Sequence, residues 1–238
     1  AFSREACAGM RLFISGSAPL LPETHDRFRA LTGHAILERY GMSETGILTS
    51  NPLTGERRAG TVGFPLPGVS LRVAGPDGVA VANGDVGNIQ VKGPNVFPGY
   101  WKLPDKTAED FTEDGFFNTG DKGLIDKDGY LAIVGRAKDL IITGGLNVYP
   151  REVELLIDDI AGVVESAVIG VPHPDFGEAV TAIVVIEAGA ALEAEDIIGQ
   201  VRARAANFKV PKKVFLVEGL PRNAMGKVQK NLLREQYA

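Results

Sequence analysis

The chain has 238 residues, 45% of them hydrophobic and 23% charged, and a net charge of −5. This is ordinary globular composition for one large or two ordinary domains, and it argues against disorder and against a broad nucleic-acid-binding surface. Cys7 is the one cysteine, so no internal disulfide forms; no apolar run is long enough to span a membrane, and the opening residues do not form a signal peptide. A cytoplasmic protein is therefore expected, and the missing initiator methionine points to a chain that starts inside a longer one.

In chain order, residues 11–15 read as a short buried strand ending at Gly16. Residues 23–31 read as a helix with Pro22 at its start and Gly33 past its end, with His25 facing solvent. Residues 35–40 read as a second strand ending at Gly41. Strand, helix and strand at this spacing predict a parallel α/β unit. From residue 60 to 134, short β runs at 70–73, 88–91 and 130–134 alternate with Gly-Pro and Asp-Gly turns, which predicts antiparallel sheet. Asp126-Lys127-Asp128-Gly129 is a hairpin signal. From about residue 139 the pattern is α+β. It has a helix at 151–158 behind Pro150, strands at 163–171 and 180–186, and an amphipathic helix at 193–205 with Ile197, Val201 and Ala205 on one stripe. A strand at 213–217 and a helix at 228–236 follow. The expected fold class is α/β and α+β. Residues 1–137 form part of a large domain with a partial α/β sheet and a small antiparallel β subdomain, and residues 138–238 form a compact α+β domain.

There is no GxxxxGK[ST] loop, no GxGxxG and no His/Cys cluster with metal-ligand spacing. His25, His34 and His173 are scattered, and nothing local supports a nucleophilic triad. Four polar turns remain. Ser15-Gly16-Ser17-Ala18-Pro19 follows a strand, and small residues there let a flat ligand approach the backbone; a plain strand-to-helix turn is the alternative. Tyr40-Gly41-Met42-Ser43-Glu44-Thr45 sits at a strand end, where open α/β sheets bind ligands. A tyrosine face can stack on a purine, Ser43 can hydrogen-bond phosphate, and Glu44 can hold Mg²⁺. The alternative is a loop leading to a helix capped by Ser43. In Thr119-Gly120-Asp121 the aspartate either accepts from ribose hydroxyls or closes an Asx turn. Gly135-Arg136-Ala137-Lys138-Asp139 leads to Gly144-Gly145, two glycines that admit a chain-like ligand or simply form a turn.

Together with Pro221-Arg222-Asn223-Ala224-Met225-Gly226-Lys227, these runs resemble the adenylate-forming superfamily of acyl-CoA synthetases, luciferases and adenylation domains, over essentially the whole chain. The resemblance implies an acid–thiol ligase. ATP and Mg²⁺ convert a carboxylic acid to acyl-AMP, and coenzyme A then displaces AMP. It implies that Gly16, Ser17, Ala18 and Pro19 line the adenine and acyl wall, with Gly41 and Met42 in the nucleotide site. Tyr40 would stack on adenine, Ser43 contact the α-phosphate and Glu44 hold Mg²⁺. Asp121 and Arg136 would bind ribose. It further implies a hinge at Lys138, a pantetheine path at Gly144 and Gly145, and a coenzyme A phosphate contact at Lys230, on one helical face with Lys227 and Arg234. Lys227 would be the catalytic lysine that bridges carboxylate and α-phosphate, and an acetyltransferase–deacetylase pair would act on it. The loop that holds the β- and γ-phosphates is missing, so the chain alone is expected to be inactive.

The run from Glu38 to Thr45 looks most like malonyl-CoA synthetases. Arg39 can bind a second carboxylate bidentately; on its strand it shares a face with Ala35 and Leu37, which predicts an inward side chain. Ile47 is expected to set room at the α-carbon, and so malonate against methylmalonate. A medium- or long-chain fatty acyl-CoA ligase and a non-catalytic nucleotide- or CoA-binding module are the alternatives.

Overall fold

The computed structural model describes residues 2–224 and 226–238; Met225, inside the run that carries Lys227, lies outside the described residues. The chain divides after Val134 into two compact units, a break slightly ahead of the boundary at 137/138 read from the sequence.

The first unit opens with α1 (Arg4–Cys7), β1 (Ile14–Ser15), α2 (Pro22–Thr32), β2 (Leu37–Met42), β3 (Gly46–Ser50) and β4 (Phe64–Pro65). Its first sheet has the order β1-β2-β3-β4. β1 lies parallel to β2, with Ile14 opposite Leu37, and the other pairs are antiparallel. The α/β unit is therefore present, with α2 as its crossover. Proline at the first helical turn sacrifices no hydrogen bond, and Gly33 ends the helix in the left-handed region at φ 79°. β1 is shorter than expected; ahead of it the Phe13 carbonyl still accepts the Leu37 N–H at 2.8 Å, and its ring packs edge-on against Phe28 of α2, with centroids 4.9 Å apart.

His25 corrects the sequence reading. It is 1% exposed, not solvent-facing. α2 turns it inward, where it helps hold the buried Glu38 carboxylate in its charged form. Its Nδ1 lies 3.4 Å from Asp26 Oδ1, and Nε2 has no hydrogen-bond partner among the described residues.

The second sheet comprises β5 (Ser70–Ala74), β6 (Gly87–Lys92), β7 (Phe117–Ile125) and β8 (Leu131–Arg136), in that order, with α3 (Pro104–Asp110) between β6 and β7. β5, β6 and β7 pair antiparallel. The turn into β8 is the expected one: Asp126 Oδ1 accepts the Asp128 and Tyr130 N–H groups, each at 2.9 Å. Tyr40 and Leu48 of the first sheet join Val73, Ile89, Val91, Phe117 and Leu131 of the second in one core, so the two sheets cover each other.

The second unit contains β9 (Ile141–Thr143), β10 (Leu146–Val148), α4 (Pro150–Asp158), β11 (Val163–His173), β12 (Gly177–Ile186), α5 (Ala194–Arg202), β13 (Lys213–Val217) and α6 (Lys230–Tyr237). β11 and β12 form a long antiparallel hairpin, and β13 returns parallel to β12 after α5. Alternation along the strands splits the apolar residues. Val168, Val180, Ala182 and Val184 face α4 and α5. Ala167, Ile169, Ile183 and Val185 face Leu220 and Leu233. Both faces are thus covered, which explains the nearly unbroken apolar run of β12. α5 stops at Arg202, so Ala205 packs from beyond the helix end rather than from its stripe.

α4 also carries two carboxylates into this unit. Glu154 accepts from the Val168 N–H at 2.9 Å and from Lys230 Nζ at 2.5 Å. Asp158 accepts from Ser166 Oγ at 2.7 Å. Burial pushes the Asp158 carboxyl up to about 6, against the pull of Ser166 and Arg151 and with a further push from Glu154. The folded state therefore binds this proton more tightly than the unfolded chain. The resulting stability is full below the unfolded value near 3.8 and is lost as pH rises through about 6. A carboxyl-carbon NMR titration should place the Asp158 midpoint near 6, and Asp158→Asn should remove the fall in unfolding stability across that window.

Candidate active site

β2 does not end at Tyr40. It continues through Gly41 and Met42, and Ser43, Glu44 and Thr45 turn it directly into β3. Neither a strand end at Gly41 nor a helix capped by Ser43 forms. The cause is a bulge between Tyr40 and Gly41. There β3 comes so close that a Cβ on Gly41 would lie 2.0 Å from the Gly46 carbonyl oxygen. Only glycine fits, and the strand can hairpin where a larger residue would splay it.

Alternation along β2 then sorts the side chains. Glu38 and Tyr40 are buried, whereas Arg39 is exposed, which corrects the expected inward direction of Arg39. Burial pushes the Glu38 carboxyl above its ordinary value, opposed by the Gly60 N–H and by His25. Glu38 is thus engaged elsewhere and does not pair with Arg39. The Arg39 side chain makes no hydrogen bond or ion pair among the described residues. It borders a cavity of about 210 Å³ lined by Ile14, Gly16, Ser17, Gly41 and Ile47. The fold therefore brings together Gly16 and Ser17, which follow β1, with Arg39 and Gly41 of β2 and Ile47 of β3. Ser17 stands at φ 69°, a left-handed conformation that side chains seldom adopt. Ala18 and Pro19 lie beyond this lining. Ile14, 49% exposed on β1, is the lining residue that sequence reading missed; its position just ahead of Ser15 on a short strand was the available signal.

Tyr40 is a core residue at 9% exposure, and its hydroxyl donates to Asp121 Oδ2 at 2.5 Å. Asp121 is itself 4% exposed and lies within β7. It is neither beyond a strand nor in an Asx turn, because Gly120 at φ 74° bends the strand without ending it. Thr119 Oγ1 donates to the Ile89 carbonyl and accepts the Asp121 N–H. Tyr40 and Asp121 thus tie the two sheets together through polar groups in an apolar core.

Glu44 is half-buried at the hairpin tip, and Ser43 is exposed beside it. The Tyr100 hydroxyl donates to Glu44 Oε1 at 3.4 Å. Burial and the Glu44 and Asp110 carboxylates push the Tyr100 phenol up, so it stays protonated and can donate. The Phe97 N–H donates to the Glu44 carbonyl at 2.8 Å, and Asn95 Nδ2 to the Thr45 carbonyl at 2.7 Å. Asn95, Phe97 and Tyr100 are the second set that sequence reading missed, since nothing local in that loop announces a support for a distant turn. Met42 packs on the core behind the hairpin. Among the described residues no group of three or more His, Cys, Asp or Glu side chains could hold a metal alone. Glu44, a partly exposed hard oxygen donor, fits Mg²⁺ that takes its remaining ligands from phosphate and water.

In the second unit, Arg136 is exposed at the end of β8, and Lys138 is exposed in a 3₁₀ turn, Ala137–Asp139. Gly144 and Gly145 are the two central residues of the β9–β10 turn, at φ 56° and 78°. Positive φ at both is the geometry that a tight hairpin requires. These glycines are exposed, and β10 separates them from α4.

α6 begins at Lys230, so Lys227 precedes it and does not share its face with Lys230 and Arg234, as the sequence reading had it. Those two are engaged, Lys230 with Glu154 at 2.5 Å and Arg234 with Asp139 at 2.7 Å. Lys227 is exposed in a turn, and its ammonium makes no ion pair among the described residues. Its backbone is held: the Lys227 N–H donates to Asn223 Oδ1 at 3.0 Å, and its carbonyl accepts the Asn223 N–H at 3.0 Å.

The AMP-binding enzyme family model matches residues 1–101, and the AMP-binding enzyme C-terminal domain model matches residues 152–227. The crystal structure of ATP-bound MatB from Rhodopseudomonas palustris is 59% identical at a TM-score of 0.97, covering 99% of this chain and 47% of that one. A malonate–CoA ligase from Arabidopsis thaliana is 43% identical over 97% of this chain and 39% of its own length. A long-chain-fatty-acid–CoA ligase from Yersinia pestis is 39% identical over 95% of this chain and 40% of its own length. The chain thus spans less than half the length of these relatives.

Removing the Tyr40 hydroxyl takes one donor from a buried carboxylate. Tyr40→Phe should lower unfolding stability by about 1–3 kcal/mol, measured by denaturant titration. An unchanged midpoint would mean that the bond contributes nothing net.

Proposed function

The chain belongs to the AMP-binding enzyme family, and on that premise we propose that it carries the nucleotide, acyl and catalytic-lysine elements of an AMP-forming acyl-CoA synthetase acting on malonate or methylmalonate. The supporting observation is the cavity beside β2, where Arg39, which makes no hydrogen bond or ion pair among the described residues, lines the wall with Gly16, Ser17, Gly41 and Ile47. An unpaired guanidinium is suited to a carboxylate that the substrate keeps after its other carboxylate is activated.

In the first step a carboxylate oxygen of the acid attacks the α-phosphorus of ATP and pyrophosphate leaves. In the second, the thiol of coenzyme A attacks the acyl carbon and AMP leaves. The substrates bring their own nucleophiles, so the protein's part is to position groups and balance charge. Ser43 binds an α-phosphate oxygen. Glu44 holds Mg²⁺, which neutralises phosphate charge. Tyr40 and Asp121 serve adenine and ribose, with Arg136 as a second ribose contact, and Gly144, Gly145 and Lys230 serve coenzyme A. Lys227 supplies a compact positive charge to the carboxylate and α-phosphate during the first step. Lys138 is the hinge between residues 1–137 and 138–238. The one cysteine, Cys7, is buried and free, which suits a reducing compartment such as the cytoplasm.

In the full-length enzyme, Arg39→Leu should lower activity on malonate by roughly 10²-fold, as for loss of one partner of a desolvated charge pair, and leave a monocarboxylate nearly unaffected, measured as AMP release. Equal losses on both acids, or better turnover of a long-chain acid, would overturn the malonate reading. Acetylating Lys227, the exposed lysine that an acetyltransferase would meet, erases its charge. It should stop ATP–pyrophosphate exchange and spare thioester formation from preformed acyl-AMP; retained exchange would remove Lys227 from the first step.

A further inference from the structure

The turn that presents Lys227 is held from both ends of one peptide bond. In the Gly226–Lys227 peptide, the N–H donates to Asn223 Oδ1 at 3.0 Å and the carbonyl oxygen accepts from Arg222 Nη1 at 2.6 Å. The next carbonyl, that of Lys227, accepts the Asn223 N–H. The planes on both sides of the Lys227 Cα are therefore fixed, and with them the direction in which its side chain leaves the backbone. Gly226 stands at φ 77°, a conformation that glycine adopts without strain, and its N–H donates to the Asn223 carbonyl at 2.9 Å. Outside the turn, Arg222 bridges to Val228 and the Gln229 N–H donates to the Pro221 carbonyl at 2.8 Å, so the base of the loop is closed as well.

The second arm of the Arg222 guanidinium, Nη2, donates to the carboxylate of Glu165. Glu165 lies on β11, opposite Val185 of β12, and both strands pack into the apolar clusters of this unit. The guanidinium thus joins the exposed segment that carries Lys227 to the sheet of this unit. Its two arms do different work: one donates to the Gly226 carbonyl next to Lys227, and the other to the Glu165 carboxylate on β11. A lysine, with a point charge and no planar fork, cannot hold both in fixed relation.

We propose that Arg222, anchored by Glu165, is a positioning residue for Lys227, setting the direction of its side chain for the acyl-adenylation step. This rests on the reading of Lys227 as the cation of that step. The competing role for an exposed arginine is direct contact with a substrate phosphate. The two separate at Glu165: neutralising it removes the anchor but leaves the Arg222 charge in place.

The test uses the full-length enzyme with Arg222→Gln, Arg222→Lys, Glu165→Gln and Lys227→Ala, each assayed for ATP–pyrophosphate exchange and for thioester formation from preformed acyl-AMP. Positioning predicts that Arg222→Gln and Glu165→Gln each slow exchange by roughly 10–100-fold, the scale of a misplaced catalytic group, and leave thioester formation within about twofold. Arg222→Lys should recover only part of the loss. In the Lys227→Ala background, Arg222→Gln should slow exchange no further. Equal losses in both half-reactions mean a merely structural role and overturn the proposal, as does a Glu165→Gln variant with full exchange. If Lys227→Ala itself keeps full exchange, the reading of Lys227 fails, whatever Arg222 does. If Lys227→Ala abolishes exchange while Arg222→Gln does not slow it, only the positioning role fails.

Discussion

The close approach at Gly41 governs the first unit. A Cβ there would collide with the Gly46 carbonyl, so the backbone can fold β2 onto β3 only with glycine in place. The bulge at that point sets which way the preceding side chains face. Tyr40 turns into the shared core and Arg39 turns out to the cavity. A slip of one residue would exchange them. That would bury an unpaired guanidinium and expose a phenol whose hydroxyl belongs on Asp121. Register, core and cavity are thus one constraint, and the cost of the wrong alternative keeps the hairpin in place.

In the second unit the sorting is by charge. The sheet is covered on both faces, so the polar groups that remain near it are engaged. Glu154 holds Lys230, Asp139 holds Arg234 and Glu165 holds Arg222. An ion pair of this kind contributes little to stability when exposed, but it removes a cation from competition for an anion. The lysine that carries no such pair among the described residues of the closing segment is Lys227. A turn pinned by backbone bonds, ending in an unengaged ammonium, is an arrangement that gives direction without neutralising the charge.

The elements that periodicity and capping describe were legible. These include α2 from Pro22 to Gly33, the Asp126–Gly129 turn, β13 to the residue, and the α+β character of the second half. Site geometry was less so, for physical reasons. The sequence reading took Gly41 as a stop, because glycine after an apolar run marks a turn more often than a close strand contact. His25 was read outward because a lone polar residue in a helix usually is, and its proximity to Glu38 depends on a strand contact that no local pattern encodes. Arg39 was read inward by counting alternation from Ala35, whereas Glu38 and Tyr40 are the buried pair. Lys227 was assigned to a helix that starts later, because the turn is built by Arg222 and Asn223 contacts rather than by helical propensity. The residues themselves were recognisable by motif, but their directions depend on packing partners far away in the chain.

Tyr40 also bears on how the proposed nucleotide site would work. A residue that stacks on a purine is usually pictured as mobile and exposed, yet this one is buried and pinned at 2.5 Å to Asp121. The pin serves both residues. The ring is held at its far end, so it cannot rotate away when a ligand arrives. The carboxylate is oriented by the bond to Oδ2. Two side chains that, in the proposed site, would address neighbouring parts of one nucleotide are therefore fixed relative to each other beforehand. The entropy of ordering them has been spent in folding, where the shared core of the two sheets supplies it, rather than in binding.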